Sequence, residues 1–234
     1  MQEKITKLDS SRTQLLIGEE GVRNLEKRSV TVVGVGGVGG YVAYMLARAG
    51  VGKLKLVDFD CVSPSNLNRQ IVANVNTIGR SKVEVLKEML LEINPALECE
   101  IVNQRLEREN VSQIITECDM CVDAIDSVKD KVDLIVHCKS NNIPIISAMG
   151  AGNRFGVPRF YLTDIYKTHD DGLAKAVRKK LREAGVAKLS VVTSEEKGSP
   201  VGGGTVGSIS YYPAMCGTTI AAIVINKFLE EKND

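Results

Sequence analysis

The chain is short of the features that would send it to a bilayer, a metal or a broad nucleic-acid surface. No apolar run reads as long enough to span a membrane, and the charged N-terminus is unlike a secretion signal, so a cytoplasmic protein with no membrane partner is expected. Charge of one sign is missing too. Lys and Arg number 30 against 29 Asp and Glu, a net of +1, so any RNA contact must come from a local patch. Aromatic residues are only 4% of the chain, which argues against extensive base stacking on its surface. His137 and His169 are isolated, without metal-ligand company, and no Ser/His/Asp arrangement offers itself. The six cysteines (Cys61, Cys99, Cys118, Cys121, Cys138 and Cys216) are scattered, as expected of reduced and mostly buried thiols. Internal repeats are lacking.

What is present is an alternation of strand and helix over 234 residues that are 44% hydrophobic, enough for one good core with an appendage. Strands are expected at Val30–Val33, Leu54–Val57, Cys99–Val102, Met120–Ala124 and Ile143–Ala148. Helices are expected at Val38–Ala49, Gly79–Ile93, Val111–Cys118 and Val128–Ser140. This predicts an α/β fold: a Rossmann-like, doubly wound, mainly parallel sheet covered on both faces. From Phe155 the rhythm changes to an antiparallel piece, Val157–Ile165, then a basic helix, Gly172–Ala184, and a strand, Leu189–Thr193. Ser194–Gly207, with Gly202-Gly203-Gly204, reads as mobile, and an apolar helix, Pro213–Phe228, should close the fold.

The most informative stretch is Val30–Gln70. A strand runs into Gly34-x-Gly36-Gly37-x-Gly39 and a helix follows, the context in which glycines and a helix N-terminus cradle phosphate. Asp58 ends the second strand roughly 20 residues on, placed to accept ribose hydroxyls. An ordinary NAD site would stop there. Instead Ser65-Asn66-Leu67-Asn68-Arg69-Gln70 follows, a polar, cationic cluster suited to neutralising a triphosphate. Ser63-Pro64 puts that cluster on a short helical turn.

Taken with Asp58-x-Asp60, Gly79-x-x-Lys82 and Asp123-Ala124-Ile125-Asp126, these motifs resemble the ThiF/MoeB/ubiquitin-activating superfamily over about the first 150 residues. Ser147–Arg154 and Leu162–Thr168 resemble one branch of it, the tRNA threonylcarbamoyladenosine dehydratases, and extend the likeness to nearly the whole chain. The resemblance implies three parts: an N-terminal helical segment (1–28), an ATP-binding Rossmann-like domain (29–154) and a C-terminal extension (155–234). It implies an enzyme that uses ATP and Mg²⁺ to adenylate a carboxylate.

Residue by residue, the readings compete. Lys82 alone would be a solvated lysine; its place relative to Arg69 matches the superfamily pattern, which implies phosphate contact. Arg69 reads as the paired cation. Asp126 could cap the helix after Ser127, whereas the resemblance implies that it binds Mg²⁺. The nucleotide-binding set is then Gly34, Gly36, Gly37, Gly39, Asp58, Asp60, Ser65, Asn66, Arg69, Gln70, Lys82, Asp126 and Ser127. Asp123 reads as a structural strand end. Arg12 would ordinarily be solvated; in the superfamily an arginine here reaches the ATP of the other subunit, which entails a homodimer. Relatives that activate sulfur carriers usually have two Cys-x-x-Cys pairs around zinc. Here only Cys118 and Cys121 have that spacing, so no zinc is expected. Cys216 could be a nucleophile or, more simply, a thiol packed in an apolar helix start.

On the substrate side, Lys175, Arg178, Lys179 and Arg182 recur on one helix face, with Leu173, Ala176, Val177, Leu181 and Ala184 on another. Such a stripe is either a solvated face or a phosphate-backbone contact; the branch implies the anticodon stem-loop of tRNA. Two other functions stay open: adenylation of a ubiquitin-like sulfur carrier, and non-catalytic partnership with a cysteine desulfurase.

Overall fold

Short apolar runs make the central strands, and their burial on both faces suits parallel pairing. The structure, a computed structural model, describes residues 5–199 and 206–231. Seven strands, β1 (Ser29–Val33), β2 (Lys53–Val57), β3 (Glu98–Val102), β4 (Met120–Asp123), β5 (Ile145–Ala148), β6 (Phe160–Asp164) and β7 (Ser190–Ser194), form one sheet. Their order is β3-β2-β1-β4-β5-β7-β6, and every pairing is parallel except β6 with β7. Val33 pairs with Asp123 and Asp123 with Ser147, so the carboxyl ends of the central strands lie level.

Helices cover both faces. On one, α2 (Gly39–Ala49), α3 (Lys82–Ile93) and α7 (Tyr211–Glu230) bury Val42, Leu46, Leu86, Leu90, Ile220 and Phe228. Leu25 of α1 (Ser11–Lys27) joins them; α1 itself is broken at Gly18, where φ is +74°. On the other face, α4 (Val111–Ile114), α5 (Val128–Ser140) and α6 (Gly172–Glu183) bury Val111, Leu134, Cys138, Val177 and Leu181. The sheet is doubly wound and α7 closes it, as the sequence pattern predicts.

Several expectations need correction. The helix read as Val111–Cys118 is a single turn, ending where Ile115 becomes extended (φ −96°, ψ 98°), and its free carbonyls are met from outside. Lys55 Nζ donates to Ile114 O at 3.3 Å, and His137 Nε2 donates to Ile115 O at 3.1 Å. Gly79, at φ +86°, turns the chain before α3 can start, so Lys82 is the first helical residue. Ala176 and Ala184 are exposed; the buried side of α6 is Ala174, Val177 and Leu181. An apolar run long enough for a bilayer does exist: α7 has 20 residues and a window of mean hydropathy 1.2. It packs against α2 and the sheet through Tyr212, Cys216, Ile220, Val224 and Phe228. Of the stretch expected to be mobile, residues 200–205, including Gly202-Gly203-Gly204, lie outside the described residues.

Candidate active site

The loops leaving β1, β2, β4 and β5 enclose a cavity of about 970 Å³ at the carboxyl edge of the sheet. Open α/β folds bind ligands at this edge. Its first wall is the glycine loop. Gly34 has φ +84° and would bring a Cβ to 2.8 Å from Ala124 O, so no other residue fits. A Cβ on Gly39 would meet Gly34 O at 1.8 Å; that glycine closes the turn from beneath and does not line the cavity. Asp58 braces the loop: Oδ2 accepts Val35 N at 2.7 Å and Oδ1 accepts Asp60 N at 2.9 Å. The closing helix backs the same loop. Gly37 packs on Pro213, and a Cβ on Gly217 would come within 2.4 Å of Val38 O, so α7 lies backbone to backbone on the start of α2.

The polar cluster forms a 3-10 turn at Pro64–Asn66 and lines the next wall with Asn66, Arg69 and Gln70. Asn66 Oδ1 accepts Ser63 N at 3.0 Å. Arg69 Nη1 donates to Ser65 O at 2.7 Å and Asn68 Oδ1 at 3.1 Å, and no carboxylate among the described residues pairs with it. Lys82 also lines the cavity, but its ammonium is matched: Nζ is 2.7 Å from Asp60 Oδ2. Gln70 is buried and its Oε1 has no partner among the described residues. Asp126 lines the cavity after β4, exposed and without a hydrogen bond or ion pair among the described residues. It does not cap α5; Ser127 holds the N-cap position and stays out of the cavity, as does exposed Ser65.

The other residues singled out from sequence lie elsewhere. Arg12 is exposed on α1, away from the cavity. Lys175, Lys179 and Arg182 are exposed on α6, whose N-terminal residues Asp171–Leu173 reach the cavity rim. Arg182 lies over the Tyr166 ring at 5.3 Å, and Arg178 is tied down by hydrogen bonds. Arg178 Nη1 donates to Thr168 O and Thr168 Oγ1, both at 2.7 Å, and to Ile165 O at 3.2 Å.

Three groups of residues in or directly behind the cavity walls escaped the sequence reading. Arg105 grips Asp130 Oδ2 through Nε at 3.1 Å and Nη2 at 2.9 Å, and lies over the Phe59 ring at 5.5 Å. Arg154, on the loop after β5, is buried: Nη1 donates to Ser194 Oγ at 2.5 Å and Nη2 to Asp170 O at 3.0 Å, with Asp171 Oδ2 3.6 Å away. Ser194 and the Tyr212 hydroxyl are 2.7 Å apart, and Tyr212 donates to Glu196 Oε2 at 2.9 Å. Burial raises the Tyr212 pKa. Burial also pushes against Glu196 ionising, yet hydrogen bonds from its own backbone, Tyr212 and Arg159 win and hold its carboxyl below the ordinary value. The third group is Lys131, fully buried against Asp123 below the cavity floor. Arg154 ends the run after a strand, the logic that singles out Asp126, and so was within reach of the sequence; the pairing of Arg105 with Asp130 was not.

No thiol is poised for attack here. Desolvation pushes Cys216 up to about 12. Among the described residues, no three His, Cys, Asp or Glu side chains gather as a metal-holding group.

Comparison with known proteins extends this likeness. The ThiF family model matches residues 10–234. A tRNA threonylcarbamoyladenosine dehydratase of Bacillus subtilis is 43% identical over 195 residues, 82% of this chain and 75% of that one. The Escherichia coli tRNA N6-threonylcarbamoyladenosine dehydratase, TcdA, solved in complex with AMP, superposes with TM-score 0.90 at 33% identity, over 94% of each chain. Its complex with ATP superposes at 0.89 and 31% identity, over 94% of this chain and 93% of that one. With sequence likeness along residues 10–234 and structural likeness across almost the whole chain, this protein belongs to the ThiF family.

Proposed function

We propose that the chain is an ATP-dependent tRNA threonylcarbamoyladenosine dehydratase. It adenylates the threonylcarbamoyl carboxylate beside the anticodon and promotes ring closure with net loss of water. One observation carries the reading: a single cavity has an anion-receiving wall at one end and a neutralised polar wall at the other. Its 970 Å³ is at the upper end of ligand-site volumes and leaves room for a nucleotide and an acyl group together.

The chemistry follows from the walls. Asp58 takes the ribose, while the glycine loop and the N-terminus of α2 face the phosphates. A carboxylate oxygen of the substrate attacks the α-phosphorus and pyrophosphate leaves with the bonding electrons. Arg69, which has no acidic partner among the described residues, and Lys82, steadied by Asp60, offset the charge that builds there. An internal nitrogen then attacks the acyl carbon, AMP departs with its bonding pair and the nitrogen loses its proton. Because this closure is intramolecular, orientation by the walls replaces a protein nucleophile, consistent with the inert Cys216. Asp126 fits a Mg²⁺ ligand: its carboxylate faces the cavity and is otherwise unengaged among the described residues. When bound, the ion would neutralise triphosphate charge.

The tRNA lies along Lys175, Lys179 and Arg182, which run outward from the cavity rim. Arg12 completes the nucleotide site of a second copy in a homodimer; the exposed Leu15 and Leu16 beside it supply apolar surface for that contact. Incubation with ATP-Mg²⁺ and either tRNA bearing threonylcarbamoyladenosine or a Gly-Gly-ended carrier protein tests the proposal. Mass analysis should show the nucleoside lighter by one water, with AMP formed. An adenylated carrier beside an unchanged nucleoside would overturn it in favour of sulfur-carrier activation; no change in either would favour a non-catalytic partner.

A further inference from the structure

We propose that Lys131 is a positioning residue that fixes the register of the two loops walling the cavity, one after β4 and one after β5. The proposal rests on the adenylation reading for what those loops present, Asp126 on the first and Gly150–Arg154 on the second.

Lys131 is fully buried and spends all three N–H groups: on Asp123 Oδ2 at 2.8 Å, Ala148 O at 3.1 Å and Ser147 Oγ at 3.2 Å. Asp123 passes the connection on. Its Oδ1 accepts Ile125 N at 3.1 Å, one residue before Asp126, and its Oδ2 also accepts Ser147 Oγ at 2.5 Å. Ala124, between them, is the residue on which Gly34 rests, and its N–H bonds Val33 O at 2.8 Å. On the other side Ala148 is the last residue of β5, and the cavity-lining loop begins at Met149. One ammonium therefore ties together the loop of the free carboxylate, the loop of the buried arginine and, through Ala124, the glycine loop.

A buried ion pair is a poor way to gain stability, since its desolvation offsets its attraction. What it imposes is geometry: three acceptors at fixed directions on strands that would otherwise tolerate an apolar filling. In the reaction, a carboxylate held by one wall must meet a phosphorus held by the other, and misplacement of about an ångström costs on the order of a hundredfold in rate.

Lys131→Met alone strands a buried carboxylate and threatens the fold. The double variant Asp123→Asn, Lys131→Met removes both charges at nearly constant volume and keeps an acceptor for Ile125 N. In the full chain it should fold and bind ATP with KM within about threefold of wild type, while kcat falls roughly tenfold to a hundredfold. Amide exchange at Met149 and Gly150 should rise about tenfold relative to the strand interiors. A folded double variant with wild-type kcat and wild-type exchange there would overturn the proposal, whatever its melting temperature. If wild-type protein leaves threonylcarbamoyladenosine unchanged, the functional reading fails and exchange alone decides: faster at Met149 and Gly150 supports the staple, unchanged refutes it. Should the pair not fold, Ser147→Ala takes its place, removing one acceptor and keeping both charges. A several-fold fall in kcat at unchanged KM then supports the proposal, and wild-type kcat overturns it.

Discussion

At the nucleotide end of the cavity, the lining from Gly34 to Lys82 comes from one continuous stretch, and Arg69 faces inward with no acid beside it among the described residues. At the far end, Arg154, Asp171, Ser194 and Tyr212 come from four separate segments, and the cation is already met by a hydroxyl, a carbonyl and a carboxylate. The first end keeps charge in reserve for a ligand; the second spends it on holding walls apart at a set distance. Arg69 and Asp126 can be removed with little harm to the fold, because no charged partner among the described residues depends on them. Residues at the second end cannot, because each removal strands a buried partner.

The largest effect is expected at Asp126. Asp126→Asn should leave the melting temperature within about 2 °C, since surface changes without partners cost little. Single-turnover ATP consumption at saturating substrate should fall by orders of magnitude, reflecting several kcal/mol of lost charge stabilisation. Near-wild-type consumption would return Asp126 to the ordinary surface. Next come the two arginines, taken as a pair. Arg154→Leu should lower the free energy of unfolding by about 3–5 kcal/mol in urea titrations. Arg69→Leu should shift it by less than about 0.5 kcal/mol but weaken ATP binding tenfold or more. Equal destabilisation by both would erase the distinction between the two ends.

Smaller effects sharpen the same contrast on α6. Lys175→Ala with Lys179→Ala should flatten the salt dependence of tRNA binding by roughly one to two units of slope and leave stability alone. Arg178→Ala should do the reverse, costing about 1 kcal/mol of stability through its lost bonds to Thr168 and Ile165 and leaving the slope in place. An unchanged slope in the lysine variant would assign that stripe to solvation. Smallest is the acid response of Glu196 and of Asp119, just before β4, whose partly desolvated carboxylate accepts Ser29 N and Oγ and pairs with Arg28; both are held below their ordinary values of 4.5 and 3.8. The folded state binds these protons more weakly than the unfolded chain, so their contribution is complete above the ordinary values and is lost as pH falls through the lowered ones. Urea midpoints at pH 6 and pH 3 should differ less in Glu196→Gln than in wild type; an equal difference would deny Glu196 a share.

What could be read from sequence follows the same division. The glycine loop, Asp58 and the Asn66–Gln70 cluster are legible because strand, turn and helix signals sit next to one another and dictate local geometry. Arg154 with Asp171, or Arg105 with Asp130, depends on which strands become neighbours, and no local signal carries that. Arg178 shows a subtler limit. Its helical spacing matches that of Lys175, but spacing gives direction and not reach, and the carbonyls of the preceding turn lie within reach. The carbonyls left free at the early end of α4 are likewise met by Lys55 and His137, residues from β2 and α5. For α7, composition alone does not show what covers its apolar face; the structure places α2 and the sheet against it.

The contact of Gly217 with Val38 also has a bearing on the order in which the site is made. The glycine loop emerges from the ribosome early, but the helix that backs it is the last of the described elements to be synthesised. Domains generally form as units as the chain emerges, and surface left uncovered in the meantime is prone to wrong association. A nascent chain lacking α7 would show the apolar side of α2 to its surroundings and have a loop without its floor. The loop should therefore gain its floor only once α7 has packed onto α2.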